Sequence, residues 1–344
     1  MATMTAYQLT GWQKPAEFVE VEVPRPRPGE VLVKVAGVGL CHSDLLFLDV
    51  PEGFFAYELP FTLGHEIAGW VDEVGEGVDD LGVGDGVVVK SRVSCGHCTN
   101  CLIGYDNYCM NHQTGLGAGE DGGLAPFVVA QRRCLVPLPT LDPRHAGPLA
   151  DAGCTSYHVV KKAVPKLAPG SAAVVIGAGG LGGYAIQYLG LMTTARVIVV
   201  DVAPHRLELA RELGVAETVL ADAAVADTLH RLTQGQGAQA VFDFVGTDET
   251  MALAFGTART LGSVAVVGAG GGSGAISWAS IPRECEVFIP MGGTIQDLHE
   301  VVALAELGAL RLENELFAFN QLPLAYERLR AGDLRGRAVV TPNT

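Results

Sequence analysis

Four cysteines crowd into the short stretch CGHCTNCLIGYDNYC, and their spacing suits the binding of a metal ion. Cys95, Cys98 and Cys101 are separated by gaps of two residues, and Cys109 follows after a longer gap. Such gaps let neighbouring thiolates surround one tetrahedral zinc ion, and four thiolates leave no position open for substrate. We therefore predict a structural zinc site, with an iron–sulfur cluster or four free thiols as alternatives. His97 is surplus to a complete ligand set, so we expect it to face solvent.

A second group of residues has the types needed for a metal site with an open position. The motif CHSD contains Cys41 and the motif GHE contains His65, and each follows a β-like segment. A catalytic zinc ion takes about three protein ligands and keeps a further position for water or substrate. A single cysteine and a single histidine are more often buried core residues, so this signal is weak when taken alone.

The stretch PLADAGCTSYH offers three further candidate ligands, Asp151, Cys154 and His158. Carboxylate oxygens bind zinc at nearly the same distance as imidazole nitrogens, and thiolates are equally suitable ligands. Asp151 also precedes a helical segment, where aspartate is favoured without any metal. These residue types by themselves leave open which of the three, if any, completes a metal site.

A glycine-rich turn predicts a dinucleotide-binding site in the second half of the chain. Gly177, Gly179 and Gly182 fit the pattern GxGxxG between the strand-like AAVVI and a helical segment, and Gly180 and Leu181 belong to the same turn. The glycines permit the tight turn, the close approach of a pyrophosphate and the packing of helix on strand. The helix N-terminus then faces the phosphates with its positive end.

Asp201, at the end of RVIVVD, favours one of the two nicotinamide cofactors. A carboxylate at this place accepts hydrogen bonds from the adenosine ribose hydroxyls, whereas a 2′-phosphate would bring negative charge against it. We therefore predict NAD(H) as the cofactor. Arg206 either covers the adenine or is an ordinary solvated helix residue. Val245 and Gly268, at the ends of later strands, either border the nicotinamide or have a structural role.

Two kinds of architecture are expected to position these motifs. The first ~140 residues read as β-rich, with short β-branched runs that glycine or proline interrupts. These runs are 31–40, 69–78, 83–93 and 127–139. From residue 172 strand-like and helical segments alternate, which predicts an α/β domain with a parallel, doubly wound sheet.

The same patterns divide the chain into two expected domains. Residues 1–149 and 313–344 form a catalytic domain that carries the four-cysteine lobe (residues 91–112), and residues 150–312 form a nucleotide-binding domain. The tail, 312–344, reads as irregular and is expected to pack on the first domain.

Composition narrows the class of protein further. The chain has 344 residues, of which 49% are hydrophobic and 18% charged, so it can bury two cores and is not disordered. Its net charge of −15 argues against nucleic acid as the main partner. It shows neither an apolar run of about 18 residues nor a signal-peptide pattern, so we predict a cytoplasmic enzyme without a membrane partner.

Several motifs resemble those of the zinc-dependent medium-chain alcohol dehydrogenases, most closely the bacterial NAD-dependent secondary alcohol dehydrogenases. Their order and approximate spacing match across nearly the whole chain. They are GLCHSD at 39–44, GHEIAGWVDEVGEGV at 64–78, VGDGV at 83–87, the four-cysteine lobe, GAGGLG at 177–182 and VVD at 199–201. The resemblance implies a GroES-like catalytic domain, a Rossmann domain, two zinc ions per chain and NAD(H). It also implies reversible oxidation of secondary alcohols to ketones, with primary, allylic or aromatic alcohols as the alternative.

The resemblance implies a ligand for the incomplete metal site. Many relatives have Cys-Ala-Gly-x-Thr-x-Tyr where this chain has Asp-Ala-Gly-Cys-Thr-Ser-Tyr. Asp151 therefore stands at the position of the third zinc ligand beside Cys41 and His65, with Cys154 or neither residue as alternatives. A carboxylate in place of a thiolate is expected to leave zinc a stronger Lewis acid and to hold the metal less selectively.

The resemblance also implies roles for neighbouring residues. Glu66 would lie close to the zinc and replace water in some states, and Asp44 would orient the zinc-bound histidine through its other ring nitrogen. Ser43 would hydrogen-bond the substrate oxygen and begin a proton relay. Leu46 stands where many relatives place the histidine that ends this relay. His42 matches a position that usually contacts the cofactor phosphate, and it is an alternative exit for the proton.

The substrate pocket and the oligomeric state are predicted only from the positions of residues relative to the family's pattern. The candidate residues for a small-molecule alcohol or ketone pocket are Leu46, Phe54, Tyr57, Met291 and Gly292. Some relatives have a large aromatic residue in place of Gly292, so this pocket would be roomier on that side. Family members are dimers or tetramers that often join sheet edges near the final strand, here VFIPM (287–291), so we expect a homodimer or homotetramer.

Two rival classes of protein explain fewer of these residues. A related zinc-free quinone or enone reductase keeps the nucleotide domain but lacks Cys41, His65 and the four-cysteine lobe. A zinc-stabilised NAD-binding protein without activity would leave CHSD and GHE without a purpose.

Overall fold

The computed structural model describes residues 2–343 and divides the chain into two compact units. The first unit contains the residues up to Cys154 together with those from Thr294 onward, and the second contains Thr155–Gly293. The first boundary lies within a few residues of the expected one. The second lies earlier than the expected return at residue 313.

The earlier return has a physical cause in the contacts of one helix, Ile295–Glu306. Its apolar pattern follows a strand, so by sequence it continues the nucleotide-binding domain. The carboxylate of Glu306 instead accepts hydrogen bonds from the backbone N–H groups of Thr140 and Leu141, each at 3.1 Å. The helix is therefore part of the first unit.

The N-terminal part of the first unit consists mainly of strands, because its β-branched runs are short and separated by glycine or proline. The strands are β1 (Thr3–Leu9), β2 (Glu17–Glu22), β3 (Glu30–Gly39), β4 (Phe61–Thr62), β5 (Glu66–Val74), β6 (Gly86–Val89), β7 (Gly115–Leu116), β8 (Gly119–Glu120), β9 (Phe127–Gln131) and β10 (Leu135–Pro137). The helices are α1 (His42–Asp49), α2 (Thr99–Leu102) and α3 (Pro143–Ala146). The expected strand at 127–139 is split into β9 and β10 by a helical turn at Arg132–Cys134.

The second unit is a parallel sheet with helices between its strands. Its strands are β11 (Ala172–Ile176), β12 (Arg196–Asp201), β13 (Glu217–Leu220), β14 (Ala238–Asp243), β15 (Ala258–Val266) and β16 (Glu286–Phe288). The helices are α4 (Ala152–Ala163), which begins in the first unit, α5 (Gly180–Met192), α6 (Pro204–Glu212), α7 (Val225–Leu232) and α8 (Asp248–Thr257).

The strand order of the second unit confirms the predicted doubly wound architecture. The order is β13-β12-β11-β14-β15-β16, and the neighbouring strands pair in parallel. The order reverses between β11 and β14, and ligands of such sheets bind beyond the carboxyl ends of the strands at this point. Every residue of β11 is buried, as expected for a central strand covered on both faces. β16 forms one edge and is shorter than the expected strand.

The C-terminal residues return to the first unit as regular structure. They form α9 (Ile295–Glu306), β17 (Asn314–Ala318), α10 (Leu322–Ala331) and β18 (Arg337–Thr341). The prediction of an irregular tail was therefore wrong, whereas its packing on the first unit agrees with expectation. β18 pairs antiparallel with β3, and the sheet order is β10-β6-β5-β3-β18-β17, with β9 also paired to β3. These elements are short, and their packing partners are distant in the sequence. Their hydrophobic pattern is therefore too brief to indicate a strand or a helix by itself.

Candidate metal centre and dinucleotide-binding site

Three segments of the first unit bring Cys41, His65 and Asp151 together. Cys41 lies between β3 and α1, His65 directly precedes β5, and Asp151 directly precedes α4. β3 and β5 are antiparallel neighbours, so the end of one strand lies beside the start of the other. Cys41 and His65 therefore lie beside strand ends of one sheet, and Asp151 lies at the start of a helix.

The distances within this cluster fit a single tetrahedral metal ion. The candidate ligand atoms of Cys41, His65, Glu66 and Asp151 all lie within 4.8 Å of one another. Oδ2 of Asp151 lies 3.8 Å from Sγ of Cys41 and 3.6 Å from Nε2 of His65. Around tetrahedral zinc, with bonds of about 2.0–2.3 Å, neighbouring ligand atoms are about 3.3–3.8 Å apart. A thiolate, an imidazole and a carboxylate in this arrangement suit zinc.

Cys154 lies apart from this cluster. Its buried thiol donates to the carbonyl oxygen of Thr294 at 3.6 Å. Burial raises the pKa of this thiol, which disfavours the thiolate that metal binding requires. Among the residues that the structure describes, neither Cys154 nor His158 joins a group of metal-ligating side chains. Of the three candidates in PLADAGCTSYH, Asp151 alone reaches Cys41 and His65.

Asp44 fixes the orientation of His65. Its fully buried carboxylate lies 3.1 Å from Nδ1 of His65 through Oδ1 and accepts the backbone N–H of Cys41 at 2.9 Å through Oδ2. With Nδ1 protonated and bound to Asp44, Nε2 is left to face Asp151. Burial acts to lower the pKa of His65, but Asp44, Asp151 and Cys41 outweigh it and raise this pKa well above its usual value. The cluster thus favours positive charge at Nε2, from either a proton or a metal ion.

Glu66 is held by Arg337, a residue that the motif comparison missed. Nε of Arg337 donates to Oε2 of Glu66 at 2.9 Å, a second guanidinium N–H donates to Oε1, and the backbone N–H of Ala152 reaches Oε1 at 3.1 Å. The two side chains meet across Gly39, where an added Cβ would lie 1.9 Å from Oε2. Burial raises the pKa of Glu66 and Arg337 counteracts it. A single arginine in the apolar run RAVVT is the signal that marks this partner.

Ser43 lies beside the cluster. Its Oγ is 3.4 Å from Nε2 of His65, within reach of the position where a ligand of the metal would sit. The half-buried Leu46, one turn later on α1, has no polar atom to carry a proton onward. His42 is exposed at the start of the same helix.

The four-cysteine lobe brings its sulfur atoms together as its spacing predicts. The Sγ atoms of Cys95, Cys98, Cys101 and Cys109 lie within 4.8 Å of one another, with 3.5 Å between those of Cys98 and Cys101. Hydrogen bonds from backbone N–H groups, the strongest from His97, lower the pKa of Cys95 to about 5. Burial raises the pKa of Cys101 to about 12. The side chain of His97 is exposed, as expected.

The glycine turn of the second unit has the geometry that a pyrophosphate requires. Gly177 adopts φ +89, a conformation that favours glycine. A Cβ added to Gly182 would lie 1.9 Å from the carbonyl oxygen of Gly177. Gly179 precedes α5, and Gly180 and Leu181 form its first turn. The backbone N–H groups at this helix N-terminus are therefore accessible to an anion.

Asp201 lies at the end of β12 beside this turn. Its buried carboxylate accepts the backbone N–H of Ala178 at 2.7 Å and that of Ala203 at 2.8 Å. Nη1 of Arg206 lies 3.8 Å from Oδ2 of Asp201 and close to Gly179. The structure thus places both residues at the rim of the glycine turn, where the adenosine ribose of a dinucleotide binds in such folds.

Asp243 joins the ends of β14 and β15 and was not singled out from the sequence. Its fully buried carboxylate accepts the backbone N–H groups of Val245 and Gly246 at 2.9 and 3.0 Å. Its carbonyl oxygen accepts the N–H of Gly268 at 3.0 Å. Val245 also lies against Gly177, so it borders the dinucleotide turn, and Gly268 packs against the backbone of Val245. An acid directly after the buried strand AVF is the signal that would have found it.

The candidate pocket residues are divided between the two units. In the first, Leu46 is half-buried, Phe54 is exposed, and Tyr57 stacks on Phe55 with ring centroids 5.0 Å apart. In the second, Met291 is exposed and Gly292 adopts φ +59. The assignment of these five residues to a substrate pocket stays a prediction.

The two units together define a class of protein, a nicotinamide-type dehydrogenase with metal-ligand clusters in its β-rich part. Two family models match the chain: the alcohol dehydrogenase GroES-like domain over residues 27–140 and the zinc-binding dehydrogenase over residues 180–306. The D-arabinose 1-dehydrogenase (NADP(+)) of Saccharolobus solfataricus is 32% identical over 347 residues, covering 99% of each protein.

Solved structures extend this similarity to the fold. The alcohol dehydrogenase of Aeropyrum pernix matches with a TM-score of 0.93 and 35% identity, over 98% of this chain and 100% of that one. The acetophenone reductase of Geotrichum candidum, in complex with NAD, matches with a TM-score of 0.87 and 30% identity, over 98% and 97%.

This chain belongs to the zinc-dependent medium-chain alcohol dehydrogenases, which confirms the family predicted from its motifs. It is an oxidoreductase of small-molecule alcohols that uses zinc and a nicotinamide cofactor. Among residues 2–343, no helix is both long and apolar enough to cross a bilayer.

Proposed function

We propose that this protein interconverts secondary alcohols and ketones with NAD(H), using a zinc ion held by Cys41, His65 and Asp151. The observation that carries the proposal is the convergence of these three side chains within zinc-binding distance, with Ser43 beside them. Bound zinc would act as a Lewis acid toward the substrate oxygen, and NAD would accept the hydride. A second zinc ion in the four-cysteine lobe would have a structural role, giving two per chain.

Among the residues around the cluster, some position the metal ligands and others move the proton. Asp44 holds Nδ1–H of His65, which keeps Nε2 aimed at the cluster. The hydroxyl of Ser43 accepts the proton of the substrate alcohol and passes on its own. Because Leu46 cannot carry the proton further, it leaves through His42 or through water and cofactor hydroxyls. Glu66 lies within reach of the metal, but its pairing with Arg337 opposes ligation.

Asp201 supports NAD over NADP, because its carboxylate would repel a 2′-phosphate. Arg206 beside it provides the opposite charge, and the relative from Saccharolobus solfataricus is named for NADP. Comparing kcat/KM for the two cofactors tests the choice. We expect at least a tenfold preference for NAD, since a charged hydrogen bond contributes about 1.5–3 kcal/mol. A preference for NADP would contradict the role given to Asp201.

The preference for secondary alcohols is supported by the similarity to an acetophenone reductase and by Gly292, which has no side chain to fill its side of the pocket. Paired substrates of equal carbon number, such as a 2-alkanol and a 1-alkanol, test it at fixed NAD. Higher kcat/KM for the secondary alcohol supports the proposal. Faster oxidation of primary, allylic or aromatic alcohols would favour the alternative activity.

We further propose a cytoplasmic homodimer or homotetramer. The cysteines of the described chain are unpaired, and metal-binding thiolates persist in a reducing compartment. The free edge of β16 offers backbone groups for pairing with a second copy.

Zinc content tests the metal assignment directly. We expect about two zinc ions per chain by elemental mass spectrometry, and about one in Asp151→Ala, because the four-cysteine lobe keeps its ion. Cys154→Ala is the matched control, since this thiol lies three residues away but outside the cluster, and it should retain both ions. Loss of an ion in the Cys154 variant, or retention of both in the Asp151 variant, would contradict the ligand set.

A further inference from the structure

One fully buried carboxylate of the second unit has no cationic partner. Asp243, the last residue of β14, is 0% exposed. Its Oδ1 accepts the backbone N–H groups of Val245 and Gly246 at 2.9 and 3.0 Å. Among residues 2–343, its Oδ2 has no hydrogen-bond partner, and no lysine, arginine or histidine forms an ion pair with this side chain. Two backbone N–H groups are therefore all that this carboxylate receives from the chain.

Other buried carboxylates of this protein have a cation beside them. Oδ2 of Asp106 lies 3.2 Å from Nζ of the buried Lys90. Glu66 is held by the guanidinium of Arg337. Burial of a carboxylate without such a partner is strongly unfavourable. The isolated carboxylate of Asp243 therefore calls for an explanation in the function of its site.

Asp243 lies where a dinucleotide binds in a doubly wound sheet. The strand order reverses between β11 and β14, and ligands of such sheets bind beyond the carboxyl ends of the strands at this point. The carbonyl oxygen of Asp243 accepts the N–H of Gly268 at 3.0 Å. A Cβ added to Gly177 would lie 2.8 Å from Cγ2 of Val245. Asp243 thus joins the turns after β14 and β15, next to the glycine turn after β11.

The carboxylate of Asp243 is close enough to act on a ring that borders Val245. Its Oδ1 lies 2.9 Å from the backbone nitrogen of Val245. Groups in contact lie within about 4 Å of one another, so a ring packed on the side chain of Val245 lies within roughly 10 Å of this carboxylate. Water and salt screen a buried charge much less than an exposed one.

We infer that Asp243 makes the site favour the oxidised form of the nicotinamide cofactor over the reduced form. The nicotinamide ring is a cation in NAD+ and is neutral in NADH, so a buried anion nearby stabilises the oxidised form. This inference rests on the proposed use of NAD(H) and on the predicted place of its ring beside Val245 and Gly268.

The same charge affects the direction of the reaction between bound species. Hydride transfer from the alcohol carbon to NAD+ removes the positive charge of the ring, and the alcohol proton leaves separately, giving ketone, NADH and a proton. Asp243 therefore shifts the bound equilibrium toward alcohol and NAD+, which favours reduction of the ketone.

The ratio of the dissociation constants of NAD+ and NADH tests this inference on the zinc-loaded protein. Fluorescence titration gives Kd for NADH, and displacement of NADH gives Kd for NAD+. We expect Asp243→Asn to raise the ratio Kd(NAD+)/Kd(NADH) about tenfold, the effect of a unit charge acting over roughly 10 Å at an effective dielectric constant of about 20. The asparagine keeps a carbonyl oxygen that accepts the same two N–H groups.

Asp222→Asn is the matched control. Oδ1 of Asp222 accepts the N–H of Ala224 at 2.9 Å, two residues later, just as Oδ1 of Asp243 accepts that of Val245, but Asp222 is exposed. Its charge is screened by water and salt, so the ratio should stay at the wild-type value. ADP-ribose lacks the nicotinamide ring, so we expect it to bind Asp243→Asn and the wild type equally.

The contrary outcomes separate this inference from the proposed function. An unchanged ratio in Asp243→Asn, or an equal rise in Asp222→Asn, would overturn the inference and leave the proposed function standing. Weaker ADP-ribose binding with an unchanged ratio would assign Asp243 a structural role instead. A wild-type chain that binds neither NAD+ nor NADH would refute both the inference and the proposed cofactor. If Asp243→Asn does not fold, as judged by circular dichroism, Asp243→Ser decides, because its hydroxyl accepts the same kind of N–H bond without carrying a charge.

Discussion

Two arginines of the C-terminal segment form two-pronged ion pairs that differ mainly in burial. Arg337 pairs with Glu66, and the two side chains are 4% and 0% exposed. Arg330 pairs with Asp49 at 2.7 and 2.9 Å, and these side chains are 54% and 52% exposed. The chain therefore contains its own control for the energetic consequence of burying an ion pair.

Replacing Arg337 by methionine keeps its length and removes its charge. Glu66 would then remain buried as an unpaired anion near the side chains of Cys41 and Asp151. Removing one partner of a buried pair costs about 3–5 kcal/mol, so we expect a loss of this size in the free energy of unfolding. For Arg330→Met we expect less than about 1 kcal/mol, because exposed pairs are screened by water and salt.

Urea unfolding of the proteins after removal of zinc by a chelator measures both losses, because no metal ion is then within reach of Glu66. In a Trp278→Phe background the remaining tryptophans, Trp12 and Trp70, lie in the first unit and report its unfolding. The double variant Glu66→Gln/Arg337→Met should regain much of the stability, because no buried charge is left unpaired. The reasoning would be refuted by equal losses in Arg337→Met and Arg330→Met, or by a double variant no more stable than Arg337→Met.

Three further predictions concern other parts of the chain. Gly182→Ala should weaken NAD binding at least tenfold in fluorescence titration, because its Cβ would lie 1.9 Å from the carbonyl oxygen of Gly177; unchanged affinity would contradict the described turn. Asp201→Asn should lower kcat/KM for NAD by about ten- to a hundredfold while that for NADP falls less, since charged hydrogen bonds contribute about 1.5–3 kcal/mol. Burial acts to raise the pKa of Glu306, but hydrogen bonds from Thr140 outweigh it and lower this pKa. Glu306→Gln should therefore cost about 0.5–1 kcal/mol of unfolding free energy at pH 7, discounted for exposure, and the difference should vanish as pH falls through the lowered pKa; a difference that persists at pH 2 would argue against it.

Local spacing made much of the site predictable from the sequence. The four cysteines lie within fifteen residues, so short loops bring their sulfur atoms together whatever the rest of the chain does. The pattern of Gly177, Gly179 and Gly182 between a strand and a helix has the same local character. The doubly wound sheet followed from the alternation of apolar runs, and its strand order confirms the prediction.

Contacts between distant segments could be identified only from the tertiary structure. Glu66 and Arg337 are 271 positions apart, and they meet because β18 and β5 lie on either side of β3 at Gly39. The return of the chain at Thr294 follows from hydrogen bonds that α9 makes with the first unit, although its sequence continues the alternating pattern of the second. Neither the ion pair nor the return of the chain produces a periodic pattern of hydrophobic residues in the sequence.

By itself the sequence determined the family, the fold class and the residue types available for chemistry, because these depend on motifs whose members are close in the chain or occur in a fixed order. Only the tertiary structure decided that Asp151 reaches Cys41 and His65 while Cys154 bonds to the carbonyl oxygen of Thr294. It also decided which side chains of the four-cysteine lobe face outward. These outcomes depend on which surfaces are buried in the folded chain. The type of a single residue does not indicate whether its surroundings bury it.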